Sequence, residues 1–413
     1  MDGRCPSSNS AAGPRDRGTA HSLRYDRAVT TLTDEHAALR DAVRELADER
    51  IAPRAAEIDQ SGEFPWDVVE LLAQHDVLAL SFPEEYGGLD GDLLTLSVVI
   101  EEISRVCATS GLIVAVHELG ALPLLIGGTD EQKRRWIPDL ASGRMLPAFA
   151  LTEAEAGSNA ADVRTRAARE GDAWVLNGEK RFISHGNVAG VVAVFAATDS
   201  DPEAVRQKRH MTCFYVEKDT PGFTAPRVEH KMGIRGSPTA ELAFNDVRLP
   251  DANRVGDVGD GWRLVVKTFE RSRLGIAAQA VGIARGALEI ATQYAREREQ
   301  FGKPIGEHQM VGAMLADMAT RTEAARQLLW AACEHVQAGD KRAAAWASMA
   351  KLFCGDTAMA VTTDAVQVLG GYGYITEYPV ERMMRDAKIT QLYEGTQQIQ
   401  RLIIARDLLV GER

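Results

Sequence analysis

Cysteine is sparse in this chain. Cys5, Cys107, Cys213, Cys333 and Cys354 lie far apart among 413 residues and form no CxxC pair. An odd and scattered set excludes a disulfide framework and a zinc site, and it fits reduced thiols in the cytoplasm. Basic residues are in the minority too: 47 Lys and Arg against 59 Asp and Glu leave a formal net charge of −12. A sequence-independent hold on nucleic acid needs a basic face, so nucleic acid is excluded as a partner, whereas a local basic pocket for a phosphorylated ligand is not. No apolar run approaches the ~20 residues of a bilayer span, so no membrane partner is expected. Residues 1–28 are rich in Ser, Gly, Pro, Arg and Asp and lack an apolar stretch, which predicts a disordered tail and not a secretory signal.

Several catalytic signatures are missing as well. No GxGxxG follows a strand and no GxxxxGK[ST] loop is present, so neither a Rossmann fingerprint nor a P-loop exists. HExxH, DxDxDG and GxSxG are absent. Nine histidines are scattered without ligand spacing, so no metal is expected. Ser184 and His185 are neighbours on a predicted strand, where successive side chains face opposite sides, and make a poor catalytic pair.

What remains is a clear order of elements. Thr33 predicts an N-cap, followed by acidic Asp34 and Glu35 and an apolar face of Leu39, Val43, Leu46, Ala47 and Ile51, with Pro53 marking its end. Further helices are predicted over 66–78, 93–107 and 111–125, giving an N-terminal helical domain over residues 29–145. Alternating β-branched runs then cover 174–176, 181–184, 191–197, 211–216 and 241–247, a middle β domain over 146–255. Asn177-Gly178 between the first two predicts a hairpin turn. Long amphipathic helices return from about Trp262 to Arg298, around Val311–Ala332, and from Arg342 to Leu369, where Gly370-Gly371 supplies a C-terminal stop. Residues 256–413 therefore read as a helical bundle domain, and the fold class as α+β.

One residue stands out. Thr396 predicts an N-cap for a last helix with Ile399, Leu402, Ile403 and Ile404 on one face. Glu394 sits just before it, next to Gly395, which permits close approach to the backbone. A carboxylate there could take a proton from a ligand, although a glutamate in a polar turn is ordinarily a solvated surface residue.

The stretch Tyr372-Gly373-Tyr374-Ile375-Thr376-Glu377-Tyr378-Pro379, with Arg382, Arg385-Asp386-Ala387-Lys388 and Tyr393-Glu394-Gly395-Thr396, resembles the C-terminal signature of acyl-CoA dehydrogenases. Ala150-Leu151-Thr152-Glu153 with Ala156-Gly157-Ser158 resembles their first signature. Leu176–Lys180, Lys231–Ser237, Arg298–Ile305 and Gln367–Gly371 continue the series in the family's order, across about residues 30–412. The resemblance implies an acyl-CoA dehydrogenase-like fold centred on a four-helix bundle, a homotetramer, and FAD bound without a Rossmann domain. It implies that Leu151, Thr152 and Ser158 line the flavin and the substrate's pantetheine arm, with Phe182 and Ser184 facing the isoalloxazine ring. Read from the pattern alone, Phe182 is a buried strand aromatic. Arg298, Phe301 and Gln309 would bind the cofactor, Arg298 and Gln309 meeting its pyrophosphate and adenine across a subunit boundary with Gln367, Gly370 and Gly371. Thr396 and Gln398 would touch the cofactor too, while Glu270, Arg273 and Gly395 would serve the substrate.

In that frame Glu394 is the base that removes the Cα proton of an acyl thioester while a hydride leaves Cβ for flavin N5. The resemblance assigns polarisation of the thioester oxygen to the backbone N–H of the base and a ribityl hydroxyl. One branch of the family carries the base at the position of Ser272, and a serine cannot serve, which leaves Glu394. Ala154-Glu155 stands where the family has Pro-Gly, and Asn159 where it has Asp. These departures leave the carrier open between CoA and an acyl carrier protein. The expected activity is oxidation of a short, medium or branched saturated acyl-CoA, within fatty acid β-oxidation, with an electron-transfer flavoprotein as acceptor. The alternatives within the fold are an oxygen-using oxidase or flavin monooxygenase.

Overall fold

The computed structural model describes residues 31–410; the predicted N-terminal tail lies outside them. The first helices are α1 (Asp34–Leu46), α2 (Ala55–Ser61) and α3 (Trp66–Gln74), followed by α4 (Leu93–Val106), α5 (Ala108–Gly127) and α6 (Asp130–Ala141). Thr33 caps α1 as its sequence predicts, its side chain accepting from the His36 N–H. Helix α6 escaped the hydrophobic pattern, yet its start is well marked. Thr129 and Gln132 form a reciprocal capping box that satisfies two backbone donors.

Helices α5 and α8 (Gly261–Glu297) correct the expectation about apolar runs. Both are long and apolar enough, by length and composition, to cross a membrane. Within this fold 78% of the apolar window of α5 and 83% of that of α8 is buried, because a helix apolar on all sides can be covered by protein on all sides. Helix α5 joins two cores: residues 108–116 pack into the helical core and residues 119–126 into the core against the sheet.

The middle region holds an eight-stranded sheet in the order β6-β7-β3-β2-β4-β5-β8, with β1 added beside β4. Its strands are β1 (Pro147–Ala150), β2 (Arg166–Glu170), β3 (Ala173–Ser184), β4 (Val191–Ala197), β5 (Met211–Glu217), β6 (Phe223–Val228), β7 (Thr239–Pro250) and β8 (Arg254–Val255). The hairpin predicted at Asn177-Gly178 does not exist. Strand β3 runs straight through these residues, pairing with β2 on one side and β7 on the other. Asn177 exchanges hydrogen bonds with Asp246 of β7, so pairing across the sheet outweighs the local turn signal. Gly178 marks a bulge instead: its φ is +146°, and a Cβ there would approach Thr165 Cα to 2.6 Å. The real hairpin turn is at Gly171-Asp172, between the paired residues Glu170 and Ala173.

Helix α8 extends unbroken over 37 residues. It packs with α9 (Gln309–Gln337) and α10 (Ala343–Leu369), α12 (Gln397–Val410) packs on α10, and α11 (Val380–Ala387) lies beside α8 and α10. Gly370 ends α10 with a φ of +60°, the predicted stop. The fold is thus helical at both ends with a sheet between. A buried ion cluster ties the two helical regions together. Arg285 of α8 donates to Glu101 at 2.7 Å and to Glu102 at 2.6 Å, Arg326 of α9 reaches Glu101 at 3.0 Å, and Arg44 of α1 reaches Glu102 at 3.1 Å. Replacing Arg285 by Met strands two buried carboxylates, and the expected loss is about 3–5 kcal/mol in urea unfolding; a change below about 1 kcal/mol would show that Arg44 and Arg326 suffice.

Candidate active site

Glu394 lies in the tight turn between α11 and α12, with a φ of +50°, a conformation uncommon for a residue with a Cβ. Three elements hold that turn. Arg273 of α8 donates from Nε to the Glu394 carbonyl at 3.1 Å. Lys351 of α10 donates from Nζ to the Gly395 carbonyl at 2.8 Å. Gln400 of α12 bonds both carbonyls, at 3.2 and 2.8 Å. Thr396 accepts from the Ile399 N–H and so starts α12 as its sequence predicts.

The Glu394 side chain is partly buried, unlike the usual turn glutamate. Its Oε2 accepts a 2.5 Å hydrogen bond from Ser272 Oγ, and among the described residues Oε1 has no hydrogen-bond partner. Burial pushes the carboxyl pKa up to about 7, opposed by the Ser272 hydrogen bond and the charges of Arg273 and Lys351. Burial likewise pulls Lys351 down to about 7 and Arg273 down to about 10. The result is a carboxylate poised near neutrality, with one oxygen anchored and the other available.

A second group of residues gathers at the end of β1 and the end of β3. Arg181 N–H bonds the Thr152 carbonyl at 2.8 Å, which seats Leu151 and Thr152 against β3. Beneath them lies an ion pair that the motif reading did not single out. Lys180, with no exposed surface, bonds Glu153 at 2.7 Å and the Leu151 carbonyl at 3.0 Å. Burial lowers Lys180 to about 8 against the pull of Glu153. Burial pushes the other way on Glu153, but Lys180 and the Arg164 and Thr165 N–H groups hold its carboxyl below the usual range. The signal was available: Lys180 is an even number of residues from buried Leu176, the spacing of one strand face.

Phe182 is not the buried strand aromatic that alternation predicts. A register shift between Lys180 and Ile183 gives it a φ of +58° and turns it outward, 61% exposed, while Ser184 at the strand end is partly buried. His185 leaves the strand with a φ of +61°, so it does not alternate with Ser184 as the strand rule implied. Ser158 is exposed on the loop after Glu153.

The remaining candidates are elsewhere. Arg298, Gly370 and Gly371 line one groove of about 460 Å³ with Tyr294 and Tyr372, and the Arg298 guanidinium lies over the Tyr372 ring. Phe301, 95% exposed, and Gln309 flank the start of α9; Gln367 and Gln398 are exposed on α10 and α12. Glu270 is bonded to Lys267 at 2.8 Å, whereas Arg273 is buried against Glu394. A planar aromatic cofactor with phosphates suits this layout. The exposed ring of Phe182 beside Leu151 and Thr152 offers a flat apolar face, and Arg298 offers a fork for phosphate oxygens in a glycine-floored groove.

Family models cover nearly all of the described chain. The acyl-CoA dehydrogenase N-terminal domain matches residues 33–144, the middle domain 148–247 and the C-terminal domain 259–409. An acyl-CoA dehydrogenase of Bacillus subtilis (strain 168) is 46% identical over 382 residues, covering 92% of this chain and 99% of that protein. The butyryl-CoA dehydrogenase of Megasphaera elsdenii superposes with a TM-score of 0.88 at 39% identity, covering 92% of this chain and 99% of that one. A chain from a structural study of the electron transferring flavoprotein of Acidaminococcus fermentans superposes with a TM-score of 0.89 at 41% identity, with the same coverage. With its three consecutive domain matches and a relative nearly half identical from end to end, this chain belongs to the FAD-dependent acyl-CoA dehydrogenase family.

Proposed function

We propose that the chain converts a saturated short, medium or branched acyl-CoA to its trans-2-enoyl thioester, with Glu394 as the base. The observation that carries this is the seat of that carboxylate: partly buried, raised to about 7, one oxygen bonded to Ser272 and the other unbonded. FAD, when bound, supplies the acceptor for the hydride that leaves Cβ. Leu151, Thr152, Phe182 and Ser184 would hold its ring, and Arg298, Gly370 and Gly371 its phosphate and adenosine portion.

The chain's own part of the chemistry is proton removal and orientation. The Cα proton of a thioester is weakly acidic, so the base must be strong for a carboxylate and must be held in place. Removal from water raises the proton affinity of Glu394, and Ser272 fixes Oε2 so that Oε1 faces one direction. Arg273, Lys351 and Gln400 occupy the carbonyls of residues 394 and 395, which fixes the orientation of the turn's peptide groups. The N–H of Glu394 belongs to the preceding peptide group, and the family resemblance makes it the donor that would stabilise developing charge on the thioester oxygen.

An electron-transfer flavoprotein is inferred as the acceptor, in view of the family resemblance and of the similar chain from a study of an electron transferring flavoprotein. A homo-oligomer, with a tetramer as the family expectation, is inferred from apolar residues left exposed on one chain, among them Leu402, Leu408 and Leu409 on α12 and Phe301 and Met310 near α9. Four described cysteines are free and buried, in keeping with a reducing cytoplasm.

Anaerobic mixing of the flavoprotein with a panel of saturated acyl-CoAs tests the reading. Bleaching of the flavin by one of them, abolished in Glu394→Gln with FAD retained, is the expected result; a yellow protein that no acyl-CoA bleaches removes CoA as the carrier or dehydrogenation as the reaction. The pH dependence follows from the raised pKa. Only the carboxylate accepts a proton, so the reduction rate climbs as pH rises through about 7. Ser272→Ala removes a donor that favours the charged form, so it moves this limb upward by about one unit, and Ser272→Thr restores it. A limb that does not move in Ser272→Ala means that the hydroxyl does not hold the base.

A further inference from the structure

A second carboxyl lies alongside the base. Glu118, in the middle of α5, is 1% exposed, and its Oε1 has no hydrogen-bond partner among the described residues. Its nearest charge is Arg271 of α8, whose Nη2 stands 3.9 Å from that Oε1, too long for a hydrogen bond. Arg271 Nε is also buried without a partner, as is the hydroxyl of Thr268 one turn earlier on the same helix. Helices α5 and α8 pack antiparallel here, with Gly127 against Leu264 and Ala115 against Gly275. That register sets Glu118 level with Arg271 and Ser272, the residue that anchors Glu394. Glu118 also acts on Glu394 through its charge, raising its pKa.

A buried carboxyl oxygen without a partner is costly, more so when charged, so a chain that keeps one near Glu394 needs a reason. The spacing suggests it. A single oxygen set about 2.8 Å from each group spans a 3.9 Å gap between an acceptor and a donor. A hydroxyl meets both demands at once, donating its proton to Glu118 and accepting from Arg271. An alkyl chain meets neither.

We propose that Glu118 and Arg271 form a hydroxyl-binding subsite beside the base, selecting acyl thioesters that carry a hydroxyl beyond Cβ over their plain counterparts. The proposal rests on the dehydrogenase reading and names a substrate class for the same site. Hydroxylated substrate leaves the reaction itself unchanged, since the oxygen is bound and not transformed.

The test compares kcat/KM for flavin reduction within two matched pairs: 4-hydroxybutanoyl-CoA against butanoyl-CoA, and 5-hydroxypentanoyl-CoA against pentanoyl-CoA. At least one hydroxylated member is expected to win by about tenfold or more, because a site built to bind a hydroxyl penalises its absence. In Glu118→Leu the ratio falls to near one. Glu118→Gln keeps the shape and an acceptor oxygen but not the charge, and it lowers the ratio partway, which covers failure of the leucine variant to fold. A wild-type ratio near or below one in both pairs overturns the subsite and leaves the gap to water. So does a preference that survives in both variants. Reduction by plain acyl-CoAs without preference removes this proposal alone, whereas reduction by no acyl-CoA removes the dehydrogenase reading with it.

Discussion

Keeping a carboxylate reactive inside protein sets the main constraint on this fold. Glu394 must be removed from water for its proton affinity to rise, yet it must not drift or stay permanently protonated. The chain resolves this by taking four anchors from three bundle helices: Ser272 and Arg273 from α8, Lys351 from α10 and Gln400 from α12. None of these neutralises Glu394 by a direct ion pair to its oxygens. The cations bond the carbonyls of the turn instead, and among the described residues the hydrogen bond to the carboxylate comes from a neutral hydroxyl. A direct Arg–carboxylate pair would lower the pKa and weaken the base.

That arrangement depends on helix α8 being continuous. Ser272 and Arg273 lie a little over three turns before Arg285, which is locked into α4 by Glu101 and Glu102. The ion cluster thus fixes the axial position of the helix that holds Glu394. Along the same interface, Gly275 and Gly282 let α8 approach α4 closely, where a Cβ would meet Ile100 Cδ1 at 3.3 Å and the Glu101 carbonyl at 2.4 Å. Sliding α8 would move the Ser272 hydroxyl off Oε2, so packing remote from the base bears on its pKa.

Much of this was legible in the residue pattern. Caps at Thr33 and Thr396, the glycine stop after Leu369, the order of helical and β regions and the oddity of Glu394 before its helix all follow from local rules. What was hidden depended on contacts between distant segments. The Asn177-Gly178 signal is a sound local rule that loses because β2 and β7 bracket β3 along its length. The strand spacing gives the face on which Lys180 lies, but its partner Glu153, 27 residues earlier, meets it only in the folded sheet. Glu118 gave no signal, since a glutamate within an apolar helix has meaning only once α8 is laid against it.

The two residues nearest the proposed chemistry share one further property. Glu394 and Phe182 both adopt positive φ, at +50° and +58°, where a side chain is disfavoured. Such conformations cost about 1–3 kcal/mol each and persist only where surrounding contacts impose them. At Glu394 the imposing contacts are the four anchors of the turn; at Phe182 they are the bulge and the pairing of Ile183 and Ser184 with β7. A regular strand would have buried the Phe182 ring in the sheet, and a regular helical turn would have pointed the Glu394 carboxylate along α12. In both places the chain departs from its local preference to aim one side chain. Departures of that kind are therefore better guides to the working surface here than pattern-conforming residues such as Gln367 or Gln398, which lie exposed on their helices.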